Sequence, residues 1–185
     1  MSDTKQTKKA SKLGRTQVVT IRLDPKLRYL VELAARKHRR TVSSFLEWAA
    51  EQSLSRVLLH EGTGYNGDED VSVADMAGKL WDVDEAERLV RLALLYPELL
   101  THEEQLIWKA IKDSGLIWQG GHWTHAGWEP DWVKLERDVF PQLRDHWETF
   151  KKIASGEIPR NKMPKWEKPK PPQKTSNTFD DDIPF

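Results

Sequence analysis

The feature that most constrains this sequence is a set of elements too small to close a core of its own. Gln17 to Leu23 reads QVVTIRL, where Val19, Ile21 and Leu23 alternate with Val18, Thr20 and Arg22. That is strand periodicity with β-branched enrichment. Asp24-Pro25 then supplies an N-cap and a proline at the first helical position. Leu27, Leu30, Val31 and Ala34 recur at helical spacing through Lys37. After a break at His38 to Arg40, Thr41 or Ser43 caps a second helix with Val42, Phe45, Leu46, Ala49 and Leu54 on its apolar face. One strand and two short helices in about 40 residues cannot bury a sufficient core alone. A lone strand also leaves both edges unpaired. Two chains that pair their strands into an antiparallel ribbon and intertwine their helices solve both problems, so a homodimer is expected.

The rest of the chain divides by composition. Residues 1–16 are a basic arm, expected to be disordered, with Lys5, Lys8, Lys9, Lys12 and Arg15. Residues 58–72 hold Gly62, Gly64, Gly67 and the run Asp68-Glu69-Asp70, and read as a linker. Residues 73–155 read as a small helical, tryptophan-rich domain. Residues 156–178 read as a disordered Pro/Lys linker, and 179–185 as a separate tip. The expected class is mainly α. The net charge of +0 conceals a segregation: residues 1–40 carry 12 Lys+Arg against 3 Asp+Glu, and residues 41–155 carry 11 against 21. A basic end on a neutral chain points to a polyanionic partner at that end.

Several classes fall away. Cysteine is absent, which removes disulfides, thiolate metal sites and cysteine nucleophiles. Met1 to Gly14 is polar and lysine-rich without an apolar segment, unlike a signal peptide. No apolar run approaches the roughly 18 residues of a membrane span. A cytoplasmic protein is expected, without enzymatic activity, cofactor or metal.

The strand-helix-helix order over residues 16–57 resembles the ribbon-helix-helix family of Arc/MetJ-type DNA-binding proteins. The resemblance implies a two-stranded ribbon inserted into the major groove of duplex DNA. Its outward residues here are Val18, Thr20 and Arg22, of which Arg22 can bond guanine bidentately. The resemblance also implies a backbone phosphate at the start of the second helix, near Thr41, Val42 and Ser43, with Arg39 and Arg40 beside it. Lys12 and Arg15 of the arm add contacts to phosphate that carry no sequence information. The family often has glycine between the helices, where this chain has His38-Arg39. Arginine in a left-handed conformation costs about 1 kcal/mol, so a different turn is expected.

In the middle segment, Asp82 or Asp84 caps a helix that runs to Tyr96. Thr101 and Glu104 form a capping box for a helix over His102 to Ser114, ended by Gly115. Leu116 to Trp118, Gln119 to Gly121 and His122 to Thr124 read as a hairpin. Residues 130–154 read as one or two helices broken near Pro141, an order compatible with a winged-helix-like arrangement. Seven of the nine tryptophans fall here: Trp81, Trp108, Trp118, Trp123, Trp128, Trp132 and Trp147. They suit a small aromatic core. The alternative, a stacking platform for single-stranded bases, is opposed by the acidic balance of the segment. His122 and His125 have no evident third metal ligand.

The last seven residues are Phe179, Asp180, Asp181, Asp182, Ile183, Pro184 and Phe185. This tip resembles the acidic C-terminal tip of bacterial single-stranded DNA-binding protein, which ends in the same FDDDIPF pattern. The rest of the chain does not resemble that family. The resemblance implies docking to replication, recombination and repair enzymes, with Phe185 entering an apolar pocket and the aspartates facing a basic ridge. The expected whole is a bacterial, phage or mobile-element DNA-binding protein that recruits or diverts such enzymes. The alternative is a ribbon-helix-helix repressor or antitoxin with a partner-binding middle domain. Removing Phe185 from a peptide of residues 179–185 is expected to weaken its binding to such an enzyme roughly 30-fold or more, since a buried Phe is worth about 2–3 kcal/mol. An anisotropy titration reads this, and equal binding by the shortened peptide ends the docking reading.

Overall fold

The computed structural model describes residues 18–168. The chain falls into two compact units, residues 1–83 and 84–185, and its described part is mainly helical.

The first unit opens on helices α1 (Pro25–Lys37) and α2 (Val42–Leu54). The Asp24 carboxylate accepts the Lys26 and Leu27 amides at 3.0 and 3.1 Å. Of the two candidate caps for α2, Thr41 serves, its hydroxyl accepting the Ser44 amide at 3.2 Å. Only Ala35 is fully buried among the residues of these helices. The strand expected over Gln17 to Leu23 is not a ladder in this single chain. Residues 18–24 belong to no strand, and Gln17 lies outside the described residues. A ladder needs a second edge, and neither sheet of the described chain supplies one to this segment.

The stretch 58–72, read as a linker, is a closed hairpin instead. Strands β1 (Leu58–His60) and β2 (Val71–Ser72) pair antiparallel, with Leu58 opposite Ser72 and His60 opposite Val71. Its glycine- and acid-rich loop is tied by its own side chains. Asp68 accepts the Thr63 amide and hydroxyl, both at 2.9 Å, and lies 2.6 Å from His60 Nε2. The Thr63 amide, then His60 and the Thr63 hydroxyl, hold the Asp68 carboxyl down at about 2. Asp70 accepts the Gly62 amide at 2.8 Å. Helix α3 (Val73–Leu80) follows directly, started by a reciprocal Ser72–Asp75 capping box. The first unit therefore runs beyond residue 57 to Val83, and the second begins at Asp84 rather than near residue 73.

In the second unit, Asp84 caps α4 (Glu85–Leu95) through the Ala86 and Glu87 amides. The Thr101–Glu104 box starts α5 (His102–Ser114), and Gly115 ends it at φ 91°. Leu116–Gly120, half of the expected hairpin, is a 3-10 turn. Leu116 and Ile117 are both buried. A strand would send these neighbours to opposite faces, whereas the turn carries both into the core. The hairpin lies one step later, with β3 (Gly121–Thr124) against β4 (Gly127–Pro130) and Trp123 opposite Trp128.

The helix expected to break near Pro141 instead changes pitch. Short α6 (Trp132–Lys134) runs through a π-helical turn (Leu135–Val139) into α7 (Phe140–Ala154). Proline has no N–H and crowds the carbonyl four residues earlier. The wider turn just before it relieves that crowding. The core gathers Val90, Ile111, Leu135, Phe140, Leu143 and Phe150 from α4, α5, the π turn and α7. Trp108 and Trp147 are buried in it, Trp118, Trp128 and Trp132 pack on its edge, and Trp81, in the first unit, is 62% exposed.

Residues 156–168, expected to begin an extended linker, are strapped to this unit. The Trp166 amide donates to the Ser114 carbonyl at 2.7 Å, and its indole N–H to Gln142 at 2.6 Å. The Gln119 side chain donates to the Glu167 carbonyl, and Lys168 Nζ lies 5.9 Å above the Trp118 ring. No helix among the described residues is long and apolar enough to cross a membrane.

The strap sits on Gly115, which is left-handed and whose added Cβ would lie 2.2 Å from the Trp166 carbonyl oxygen. Gly115→Ala is therefore expected to destabilise the second unit by about 2 kcal/mol or more. Denaturant unfolding checks the loss, and faster proteolysis after Lys162 and Lys165 checks that the strap has lifted.

Candidate nucleic-acid interface

The residues named for DNA contact fall into two groups in the first unit. The first group lies in residues 18–23. Val18, Thr20 and Arg22 are exposed. On the alternate positions, Val19 is 78% and Ile21 53% exposed, while Leu23 is half-buried. Ile21 and Leu23 lie along a groove lined by Val31 of α1 and by Val42 and Leu46 of α2. Arg22 borders the same groove, and Val19 and Ile21 remain largely uncovered. Arg22 has no acidic partner among the described residues.

The second group is the turn between α1 and α2. The His38 amide bonds the Ala34 carbonyl at 3.0 Å and the Arg40 amide the Ala35 carbonyl at 2.9 Å. Arg39 adopts φ 55°. The left-handed turn therefore forms without glycine, contrary to the expected departure, because the bonds on either side of Arg39 hold it there. Arg36, Lys37, Arg39 and Arg40 are concentrated in this one turn. Arg36 makes only a long 3.9 Å contact with Glu32, which is paired more closely with Arg28 at 3.2 Å. Arg39 has no acidic partner among the described residues.

This turn leads into a helix start without an acidic cap or first-turn residue, a condition that α7 shares. Helices α3, α4 and α5 carry acidic residues in their first turns, among them Asp75, Glu85 and Glu104, and α1 has the Asp24 cap. Helix α2 has a neutral cap, Thr41, and no acidic residue in its first turn. Thr41 takes the Ser44 amide, which leaves the Val42 and Ser43 amides without acceptors among the described residues. Ser43 is exposed beside them.

One contributor escaped the sequence reading. Trp48 on α2 lies beneath the Arg40 guanidinium, 5.4 Å from its carbon to the ring centroid, and packs against His38 and Phe45. Its only signal in the sequence is the i,i+3 spacing of Phe45 and Trp48, which puts two aromatics on one helix face. Lys12, Arg15 and the tip residues Phe179 to Phe185 lie outside the described residues. His122 and His125 lie on and beside β3, and no group of three His, Cys, Asp or Glu among the described residues is placed to hold a metal ion.

No protein-family model, curated protein or solved structure matches this chain.

Arg39 gives a direct check on the turn. Arg39→Gly is expected to raise stability by up to about 1 kcal/mol, since glycine enters the left-handed region without the Cβ penalty. Denaturant midpoints measure this, and a lowered midpoint would mean that the arginine side chain makes a stabilising contact.

Proposed function

We propose that this chain is a homodimeric DNA-binding protein of bacterial, phage or mobile-element origin. Its first unit holds duplex DNA, and its FDDDIPF tip recruits or diverts host replication, recombination and repair enzymes. The observation that carries the DNA half is electrostatic. A helix N-terminus bears about half a positive charge. At α2 that charge adds to Arg39 and Arg40 instead of being offset by an acidic cap or first turn. Such an arrangement suits an anion from outside. The free Val42 and Ser43 amides and the Ser43 hydroxyl are donors of the kind that hold a phosphate. Arg22 and Thr20 are exposed on the segment proposed to form the ribbon.

The dimer half of the proposal rests on uncovered apolar surface. Val19, Ile21, Leu27 and Leu30 are exposed around a helix pair with one fully buried side chain. A second copy, adding its own residues 18–23 alongside the first, covers Val19 and Ile21 and satisfies the strand edges at once. Each dimer then presents two tips, which raises the local concentration of whatever they bind.

Light scattering on the full chain is expected to give the mass of two copies, and duplex binding by anisotropy is expected to weaken steeply with salt. Ile21→Asp is expected to give a monomer that no longer binds duplex. Arg22→Ala keeps the dimer and weakens duplex binding by about 1–3 kcal/mol. A monomeric unsubstituted chain that ignores duplex at low salt would overturn the proposal.

A further inference from the structure

The turn between α1 and α2 holds an aromatic arrangement that the charge argument does not use. Trp48 lies on α2 beyond its first turn, and helical side chains lean back toward the N-terminus. Its indole therefore returns toward the turn, where the guanidinium carbon of Arg40 sits 5.4 Å from the ring centroid. The indole is itself held in place. His38 packs on it at 5.1 Å and Phe45 at 5.7 Å, while His38 and Phe45 meet each other at 5.8 Å. Arg40 is fixed from the other end by its amide bond to the Ala35 carbonyl.

We propose that Trp48 is a positioning residue for DNA: it holds the Arg40 guanidinium over its ring, so that the N–H donors remain free to meet a backbone phosphate at the start of α2. This inference rests on the DNA-binding reading above and names the device that serves it.

A cation–π contact with a ring uses up no N–H donor of the guanidinium, which leaves its donors available for bidentate contact with phosphate. A carboxylate partner would instead occupy a donor, as Glu32 does for Arg28. Arg40 has no such partner among the described residues, so it is restrained without being neutralised. Restraint matters because a free arginine loses much rotamer freedom when it binds, and one already held over a ring has lost part of it. Trp48 is half-buried, and α2 contributes no fully buried residue to any core.

The test is a double-mutant cycle on the full-length chain, read by anisotropy on a labelled duplex across a salt series. Far-UV dichroism and light scattering confirm an unchanged fold and mass. Trp48→Leu is expected to weaken binding about 2- to 5-fold, the range of an exposed cation–π contact, while Trp48→Phe retains most of the affinity. In an Arg40→Ala background, Trp48→Leu is expected to change nothing. An equal loss in both backgrounds, or no loss in either, overturns the proposal and leaves the DNA reading standing. Failure of the unsubstituted chain to bind any duplex overturns both. The Arg40 Nε–H resonance of the unsubstituted chain decides independently of any variant. It is expected upfield in the free protein, under the indole ring current, and to move when duplex is added. An ordinary shift that ignores duplex overturns the proposal.

Discussion

The apolar surface that the first unit leaves uncovered is the constraint on which the rest turns. In α1 and α2 a single alanine is fully buried. In the second unit, phenylalanines, leucines and isoleucines from several elements are shut away completely. Apolar burial is worth about 25 cal/mol per Å², so two short helices with one buried methyl gain little from each other. Caps do not make up the difference, since each contributes about 1 kcal/mol. On the proposed reading a second copy supplies the missing surface, and folding, dimerisation and the formation of a DNA-reading ribbon become one event. A chain that cannot dimerise then has no DNA-binding surface to lose separately.

The charges of the turn divide on the same physical basis. Arg36 and Lys37 sit in the last turn of α1, where the negative end of the helix favours cations by about 0.3–1 kcal/mol each. Local structure accounts for those two. Arg39 and Arg40 lie between the end of α1, which favours cations, and the start of α2, which disfavours them, and Arg39 adds a left-handed backbone. On the proposed reading, a local rule is broken here because the turn serves DNA contact. Trp48 fits the same account: it gives Arg40 a place to rest that does not cancel its charge.

How much of this was legible in the sequence follows from how local each cause is. Asp24, Thr41, Asp84, the Thr101–Glu104 box and Gly115 were readable because a cap acts over three or four residues. The hairpin over 58–72 was not. Its strands hold three and two residues, too few for a period, and its loop has a linker's composition. What closes it is Asp68 reaching back to Thr63 and His60, and spacing does not announce that pairing. The misplaced hairpin has a similar cause: Leu116-Ile117-Trp118 looks like a strand until the core claims two neighbours at once. At the candidate interface, Arg22, Arg39, Arg40 and Thr41 could be named from charge, cap chemistry and the family resemblance, and their part in DNA contact is a proposal. Trp48 could not be named, because its meeting with Arg40 depends on how the turn folds back.

The strap over 156–168 changes what the tip can reach. Had the linker begun at residue 156, the tip would be tethered by 23 residues, those of 156–178. Trp166 and Lys168 instead hold the chain against α5, α7 and the 3-10 turn. Only the ten residues 169–178 then separate the anchored chain from the tip. Ten residues span at most about 35 Å, close to the width of a small domain. On the proposed reading, an enzyme caught by the tip is therefore held close to the surface of the second unit and cannot roam over a wide volume. Shortening a tether raises effective concentration, but it also demands that the anchoring surface fit beside the partner. The second unit then acts as a spacer whose shape decides which enzymes can dock, and Trp166 sets the length of the leash.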